Sequence, residues 1–172
     1  DIIFCLGYKP QKIINFFGDG SKWGITVSYI IEDRLMGTAG AIRGAFEKIS
    51  ESNVIVLNGD SFCYFDIPNL FDQHHLNNAD ATLSVLKTNN PEEYGLILFN
   101  ENMKVHKFLE KSKEYKNKIN YINAGVYILK KSLIKKIDST KSVSLEKDFF
   151  PMILDMNIYA FILKDFFFID IG

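Results

Sequence analysis

Short runs of β-branched and aromatic residues alternate with stretches of helical period along the first half of this chain. Such alternation is typical of an α/β fold, in which crossover helices join the strands of one sheet. The pattern predicts strands and helices in the order βαβαβαβ, at residues 1–7, 9–20, 25–31, 39–49, 53–59, 67–78 and 79–87. The strand at 53–59, NVIVLNG, is almost continuously apolar, so we expect it to be buried on both faces.

The pattern changes after Pro91, where three strand-like segments follow one another with short connections. Short connections favour antiparallel pairing, so this part predicts an antiparallel extension of the sheet. Two helical segments and two final strands then complete the chain, at 131–137, 145–156, 158–164 and 166–172. We therefore predict a mixed, mostly parallel sheet flanked by helices, within a single domain over residues 1–172.

Composition excludes several classes of function. The chain has 47% hydrophobic and 24% charged residues, as a globular protein does, and its formal net charge of −1 provides no field that attracts nucleic acid or an anionic membrane. Its apolar runs are too short to span a bilayer, and no signal peptide is recognisable. Cys5 and Cys63 lack a partner at metal-ligand spacing, which predicts buried free thiols and a cytoplasmic location.

A cluster of small residues follows the strand at 25–31 and begins the next helix: Gly37, Thr38, Ala39 and Gly40. Glycines let a flat ligand approach the main chain, and a helix start offers free N–H groups. The alternative is that Thr38 is an N-cap and that the small residues allow tight packing of helix on sheet.

Two acidic residues end buried strands. Asp60 follows the strand at 53–59, and an exposed turn at Asn58-Gly59-Asp60 is its alternative explanation. Asp170 lies in the apolar segment FFFIDIG, where an unpaired carboxylate is costly and a cation or a buried donor is therefore expected. If the two carboxylates converge, they can hold one Mg²⁺ against phosphate groups.

Other polar residues carry weaker signals. Glu110 and Lys111 close a strand as a carboxylate and an ammonium, or as a solvated ion pair. Asn123, in Asn-Ala-Gly, can present its amide to a ligand or belong to a β-bulge. Glu146 follows Ser144 at a helix start, where a capping box is the alternative to a site role, and the pair His74-His75 is expected at the surface of its helix.

Seven motifs in one order are more specific than any of them alone: FFGDGSKWGITVSYIIEDRLMGTAGAI, VIVLNGDS, EYG, LEK, INAGVY, SLEKDFFP and FIDIG. This series resembles the sugar-1-phosphate nucleotidyltransferase family over essentially the whole chain. Within that family the chain is most similar to D-glycero-α-D-manno-heptose 1-phosphate guanylyltransferases and next to mannose-1-phosphate guanylyltransferases. The resemblance implies a Rossmann-like fold and transfer of a guanylyl group from GTP to a sugar 1-phosphate, with release of pyrophosphate.

The resemblance also implies roles for single residues. Gly37, Thr38, Ala39 and Gly40 would line the guanine pocket, with Glu32 just upstream helping, and Asp60 and Asp170 would bind Mg²⁺. Gly95, Glu110 and Asn123 fall where the family contacts the sugar, and Lys111 falls where it contacts phosphate. The implied catalytic residues are therefore Asp60, Asp170 and Lys111, in an enzyme that acts on GTP and a sugar 1-phosphate and that can be a homodimer.

One departure from the family pattern is large. The Gly-rich loop ending in Gly-Thr-Arg, with its following Pro-Lys pair, does not occur in this sequence. We therefore expect a chain truncated at both ends, without the first strand of its sheet and with little activity as it stands. A catalytically silent relative that binds a nucleotide sugar is the alternative from another functional class.

Overall fold

The computed structural model describes residues 1–88, 95–109, 120–163 and 168–170. Its strands are β1 (Ile2–Leu6), β2 (Val27–Ile31), β3 (Asn53–Leu57), β4 (Ser61–Cys63), β5 (Ala81–Thr88), β6 (Leu96–Phe99), β7 (Val105–Leu109), β8 (Asn120–Lys130), β9 (Ile158–Ile162) and β10 (Phe168–Asp170). Its helices are α1 (Pro10–Phe17), α2 (Gly37–Gly44), α3 (Ile67–Leu76), α4 (Lys131–Ile134) and α5 (Phe150–Met152), with a π-helical turn at Leu145–Phe149 and 3-10 turns at Ser21–Trp23 and Phe46–Lys48.

The chain forms two compact units, one of residues 1–52 and 134–150 and the other of residues 53–133 and 151–172. In the first unit, β1 and β2 pair in parallel, with Ile2 opposite Val27 and Leu6 opposite Ile31. Aromatic rings pack beside this pair, and the centroids of Phe4 and Phe17 are 4.9 Å apart. The single domain expected over 1–172 stays a prediction.

The second unit is built on a six-stranded sheet in the order β7-β6-β8-β5-β9, with β3 also paired to β8. Strand β8 is its long central strand and runs antiparallel to β3, β5 and β6. Strands β4 and β10 form a separate antiparallel pair. The α/β class with a mixed sheet is confirmed, but parallel pairing is less common than expected, being limited among the described pairs to β1 with β2 and β5 with β9.

Strand burial differs from the expectation in one respect. Residues Ala81 to Leu86 of β5 are all buried, whereas those of β3 are partly exposed and Leu57 is 58% exposed. Strand β5 lies between β8 and β9 in the sheet, which covers both of its edges. The prediction that the strand at 53–59 is buried on both faces is therefore wrong, and β5 has that environment.

The surface position expected for the two histidines holds for His75 but is wrong for His74, which is only 1% exposed. The two ring nitrogens of His74 lie 2.9 Å from Thr82 Oγ1 and 3.2 Å from Asn53 Oδ1. Burial, reinforced by the nearby charges of His75 and Lys130, lowers the pKa of His74 to about 4. The imidazole is therefore neutral at pH 7 and links α3 to β5 and β3.

The core of the second unit includes two neighbouring clusters along β8, and Cys63, Phe65 and Phe161 pack against both. One cluster contains Leu86, Leu96 and Ile122, and another contains Leu70, Val126 and Ile128. None of the described helices combines the length and hydropathy needed to cross a membrane.

Candidate functional site

The small-residue segment begins α2, but Thr38 is not its N-cap. Met36 occupies the N-cap position, and the helix starts at Gly37. The Thr38 hydroxyl instead accepts a hydrogen bond of 2.8 Å from the Leu145 amide and donates to Glu146 Oε2 at 3.3 Å. The N-cap interpretation is therefore wrong, because this hydroxyl is bonded to the start of the π-helical turn at Leu145–Phe149 and not to its own helix.

The first amides of α2 are already used within the chain. The N–H groups of Ala39 and Gly40 both donate to the Val143 carbonyl, at 3.0 and 3.3 Å. Gly37 has a φ of 75°, and a Cβ atom added there would lie 2.5 Å from the same carbonyl oxygen. The close approach of residue 143 thus explains why side chains are small here, and the interpretation that these N–H groups are free for a ligand is wrong for Ala39 and Gly40.

A cavity with a volume of about 370 Å³ lies beside α2. Its lining includes Glu32, Asp33, Arg34, Gly40, Ala41 and Gly44. The Glu32 side chain is held in this lining, because its Oε1 atom accepts a hydrogen bond of 3.2 Å from the Met36 amide. Of the predicted nucleotide-binding residues, the structure thus brings Glu32 and Gly40 to one cavity.

The turn that follows Val143 has reciprocal capping of the capping-box kind, but its acidic partner lies four residues after the N-cap and is not the one expected. Ser144 is the N-cap: its hydroxyl accepts from the Lys147 amide, and its own amide donates to Asp148 Oδ2 at 2.8 Å. Asp148 therefore has the reciprocal role considered for Glu146. The Glu146 carboxylate instead receives the hydroxyls of Thr38 and Ser144.

Neither cysteine is suited to nucleophilic chemistry. Cys5 and Cys63 are both free thiols, but they are partly exposed, so the expectation of full burial is wrong. The Cys5 thiol donates to the Ala41 carbonyl oxygen at 3.3 Å. Burial, and then the charge of Glu32, raise the pKa of Cys5 to about 11, which keeps it protonated near neutral pH.

In the second unit, the predicted metal ligands Asp60 and Asp170 lie at the pairing of β4 with β10. Asp60 is exposed in the loop between β3 and β4. The next residue, Ser61, is the register partner of Asp170 in the antiparallel pair of β4 and β10. The backbone therefore brings Asp170 to within one residue of Asp60 in register, although 110 positions separate them in the sequence.

The Asn-Ala-Gly motif forms a bulge in β8, as one of the two alternatives predicted. Val85 of β5 pairs with Asn123 and Leu83 pairs with Tyr127, so Ser84 alone lies opposite three residues of β8. Gly125, at the centre of the bulge, has a φ of 70°, and its amide donates to Asn123 Oδ1 at 3.0 Å. The other end of the Asn123 amide group donates to the Tyr127 hydroxyl.

The same motif marks a change of partner along one edge of β8. Strand β6 pairs there at Ile122, and β3 pairs there from Val126 onward. Gly95 directly precedes β6 and is exposed, so it lies at this change of partner too. Ligands of open α/β sheets commonly bind where the order of the strands changes. Glu110 and Lys111 follow Leu109, the last residue of β7, and lie outside the described residues.

Two aspartates are a donor set of the chemical kind that hard divalent cations take. Among the described residues there is no group of three or more His, Cys, Asp or Glu side chains that could hold a metal. Mg²⁺ does not require one, because proteins commonly bind it through one or two carboxylates, with water and substrate phosphates as the other ligands. A pair of aspartates meets that requirement.

Comparison with known proteins identifies the family. The family model described as "Nucleotidyl transferase" matches residues 1–172. D-glycero-alpha-D-manno-heptose 1-phosphate guanylyltransferase of Aneurinibacillus thermoaerophilus is 37% identical over 172 residues, covering 99% of this chain and 72% of the relative. The chain therefore belongs to the nucleotidyl transferase family.

A second group of relatives is longer. Mannose-1-phosphate guanylyltransferase of Mycobacterium tuberculosis is 33% identical over 164 residues, which cover 94% of this chain and 45% of that protein. The chain thus spans less than half the length of that curated relative.

Solved structures agree with the fold. The crystal structure of HddC from Yersinia pseudotuberculosis has a TM-score of 0.85 and 32% identity to this chain, covering 99% of it and 72% of HddC. HddC complexed with GMP-PN gives a TM-score of 0.83. The Rossmann-like α/β fold expected from the motifs is confirmed.

Three residues of the second unit have polar or backbone roles that no local pattern predicts: Asn58, Gly125 and Tyr127. The sequence indicates only a turn at Asn58 and a motif at Gly125. The adjacent motifs Asn-Gly-Asp and Asn-Ala-Gly each carried a signal for a special backbone conformation, but their contact depends on the register of β3 and β8.

Proposed function

We propose that this protein transfers a guanylyl group from GTP to a sugar 1-phosphate, giving a GDP-sugar and pyrophosphate. The first candidate substrate is D-glycero-α-D-manno-heptose 1-phosphate, because the relative of that name is 37% identical and is covered over 72% of its length. The mannose-1-phosphate enzymes support mannose 1-phosphate as the second candidate. The observation that carries the proposal is the register of Asp170 against Ser61, next to Asp60.

Asp60 and Asp170 are the proposed ligands of one Mg²⁺. When bound, Mg²⁺ would neutralise negative charge that develops on the phosphate groups. The antiparallel pairing of β4 and β10, in which Asp170 lies opposite Ser61, supports this joint role.

Guanine recognition is proposed for the cavity beside α2. The edge of guanine carries the N1–H and N2–H₂ donors, whereas the corresponding edge of adenine has an acceptor at N1. The Glu32 carboxylate in this cavity is a charged acceptor, so it would favour guanine. Gly40 is the residue of the 37–40 segment that lines this cavity, and its lack of a side chain would let the base approach the backbone of α2.

Sugar and phosphate contacts are proposed at the edge of β8 where its partner changes from β6 to β3. Gly95 and Asn123 lie there, and the Asn123 amide group still has one N–H beyond the bond to Tyr127. Glu110 would accept from sugar hydroxyls, and Lys111 would hold the phosphate by its charge. In-line attack by a phosphate oxygen of the sugar 1-phosphate on the α-phosphorus of GTP needs no covalent enzyme intermediate, so these residues act by positioning and charge.

Pyrophosphate release tests the proposal. The protein expressed from its complete gene should release pyrophosphate with GTP and a heptose or mannose 1-phosphate, and much less with ATP, CTP, UTP or dTTP. Asp60→Asn and Asp170→Asn should each lower kcat by about 100-fold or more, with circular dichroism unchanged. Near-normal rates in either variant would remove that residue from the site. The cytoplasmic location and the homodimer stay predictions.

A further inference from the structure

The two motifs that follow β3 and interrupt β8 touch each other directly. The Asn58 amide donates to the Gly125 carbonyl at 2.9 Å, one residue beyond the pair formed by Leu57 and Val126. Asn58 is therefore the last residue held by the sheet before the chain leaves it toward Asp60. Because Asn58 is bonded to Gly125, the contacts that hold Gly125 in place also hold the start of the loop that carries Asp60.

Gly125 is fixed in two independent ways. Its φ of 70° lies in the left-handed region, which L-residues with a side chain rarely adopt. Its amide is held by Asn123 Oδ1 at 3.0 Å, and the Asn123 side chain is in turn held by the hydroxyl of the fully buried Tyr127. The conformation at Gly125 is thus tied to the core through two side chains.

The space beside Gly125 is filled by Asn58. A Cβ atom added at Gly125 would lie 2.9 Å from Asn58 Nδ2 and 3.1 Å from both Cβ and Cγ of Asn58. Rotation of the Asn58 side chain would move Nδ2 and Cγ away but would leave Cβ at 3.1 Å, so Asn58 itself would have to shift by a few tenths of an ångström. Any side chain at position 125 must displace Asn58.

We propose that Asn58 and Gly125 are positioning residues that set the place of the Asp60 carboxylate relative to Asn123. This rests on the proposed function, in which Asp60 binds metal and Asn123 binds sugar. The carbonyl of Gly125 accepts from the Asn58 amide, and the amide of Gly125 donates to the Asn123 side chain. One glycine therefore determines the positions of both Asn58 and Asn123. Neither Asn58 nor Gly125 needs to touch a substrate in this role.

A substitution pair tests the contact without any assay of activity. Gly125→Ala adds both left-handed strain and the clash with Asn58, whereas Gly24→Ala adds strain alone, since Gly24 has a φ of 68° and no atom within 4 Å of an added Cβ. Gly125→Ala should therefore lower Tm well beyond Gly24→Ala. In the Asn58→Gly background, which removes all three clashing atoms, Gly125→Ala should lower Tm only by about as much as Gly24→Ala does.

Two further measurements connect the contact with the metal site. Hydrogen exchange at the Asn58 amide should be at least tenfold faster in Gly125→Ala than in Gly24→Ala. In relaxivity titrations with Mn²⁺ as the probe, Gly125→Ala should raise the dissociation constant at least fivefold, and Gly24→Ala should leave it unchanged.

The outcomes separate this proposal from the proposed function. Equal Tm losses in Gly125→Ala and Gly24→Ala, with unchanged exchange at Asn58, would overturn the positioning role even in an active enzyme. An unchanged Mn²⁺ dissociation constant in a Gly125→Ala variant with fast exchange at Asn58 would also overturn it. Failure of pyrophosphate release with every substrate pair would instead overturn the guanylyltransferase assignment and leave the contact between Asn58 and Gly125 standing.

Discussion

Thr38 Oγ1 accepts a hydrogen bond of 2.8 Å from the backbone amide of Leu145, a residue that is 1% exposed. One threonine in the small-residue segment thereby satisfies a buried donor 107 positions further along the chain. The segment thus has a structural task that is independent of any ligand.

Thr38→Val should destabilise the protein by about 1–2 kcal/mol, because the Leu145 amide would lose its acceptor in a buried place. Thr38→Ser is the matched control, since it keeps the hydroxyl, and it should recover most of the loss. Urea denaturation followed by fluorescence gives both values. Equal stability of the valine and serine variants would contradict the role of this hydrogen bond.

Glu32→Gln should reduce the preference for GTP over ATP by about 10-fold to 100-fold in kcat/KM, as expected for loss of a hydrogen bond to a charged acceptor. The variant keeps the carbonyl oxygen that Met36 needs, so the loop should be preserved. Asp33→Asn, in the lining of the same cavity, is the control and should change the preference little. An unchanged preference in Glu32→Gln would place guanine recognition elsewhere.

The order of strands and helices was predictable from the sequence, whereas many contacts within the candidate site were not. Strand and helix order follows from local periodicity, so most elements lie where predicted, although helices predicted at 9–20 and 39–49 end earlier, at Phe17 and Gly44. Partners distant in sequence were not predictable. The contacts of Thr38 with Leu145 and of Asn58 with Gly125, and the burial of His74, depend on tertiary packing that no local pattern encodes.

Tyr127→Phe should weaken the sugar site, because it removes the hydroxyl that receives the Asn123 amide group. We expect the KM for the sugar 1-phosphate to rise about threefold to tenfold, with kcat changed by less than about twofold, as for a positioning group. Tyr121→Phe, on the same strand and packed 5.0 Å from the ring of Phe99, is the control. A fall in kcat with unchanged KM would contradict a role for Tyr127 in orienting Asn123.

Protein stability should fall as the pH drops from about 6.5 to about 4, because His74 binds a proton more readily in the unfolded chain than in the folded one. The difference between the two pKa values of His74 corresponds to a loss of about 3 kcal/mol, which is complete once the imidazole is protonated in both states. The carboxylate of Asp80 contributes at lower pH: although burial alone would raise its pKa, hydrogen bonds from Lys130 and the Asn157 amide hold that pKa below its usual value.

Urea unfolding at pH 7, 6, 5 and 4.5 measures this slope. His74→Gln should flatten it, whereas the same change at the exposed His75 should leave most of it in place. A slope that His74→Gln does not alter would show that another group titrates in this range.

Direct detection of the product is the most decisive measurement. The protein from the complete gene, incubated with Mg²⁺, GTP and equal amounts of D-glycero-α-D-manno-heptose 1-phosphate and mannose 1-phosphate, is followed by mass spectrometry of the nucleotide sugars. We expect a GDP-sugar, mainly GDP-heptose, together with an equal amount of pyrophosphate, and formation of both products about 100-fold more slowly in Asp60→Asn. Absence of any GDP-sugar from the unaltered protein, or its formation at an undiminished rate by Asp60→Asn, would contradict the account.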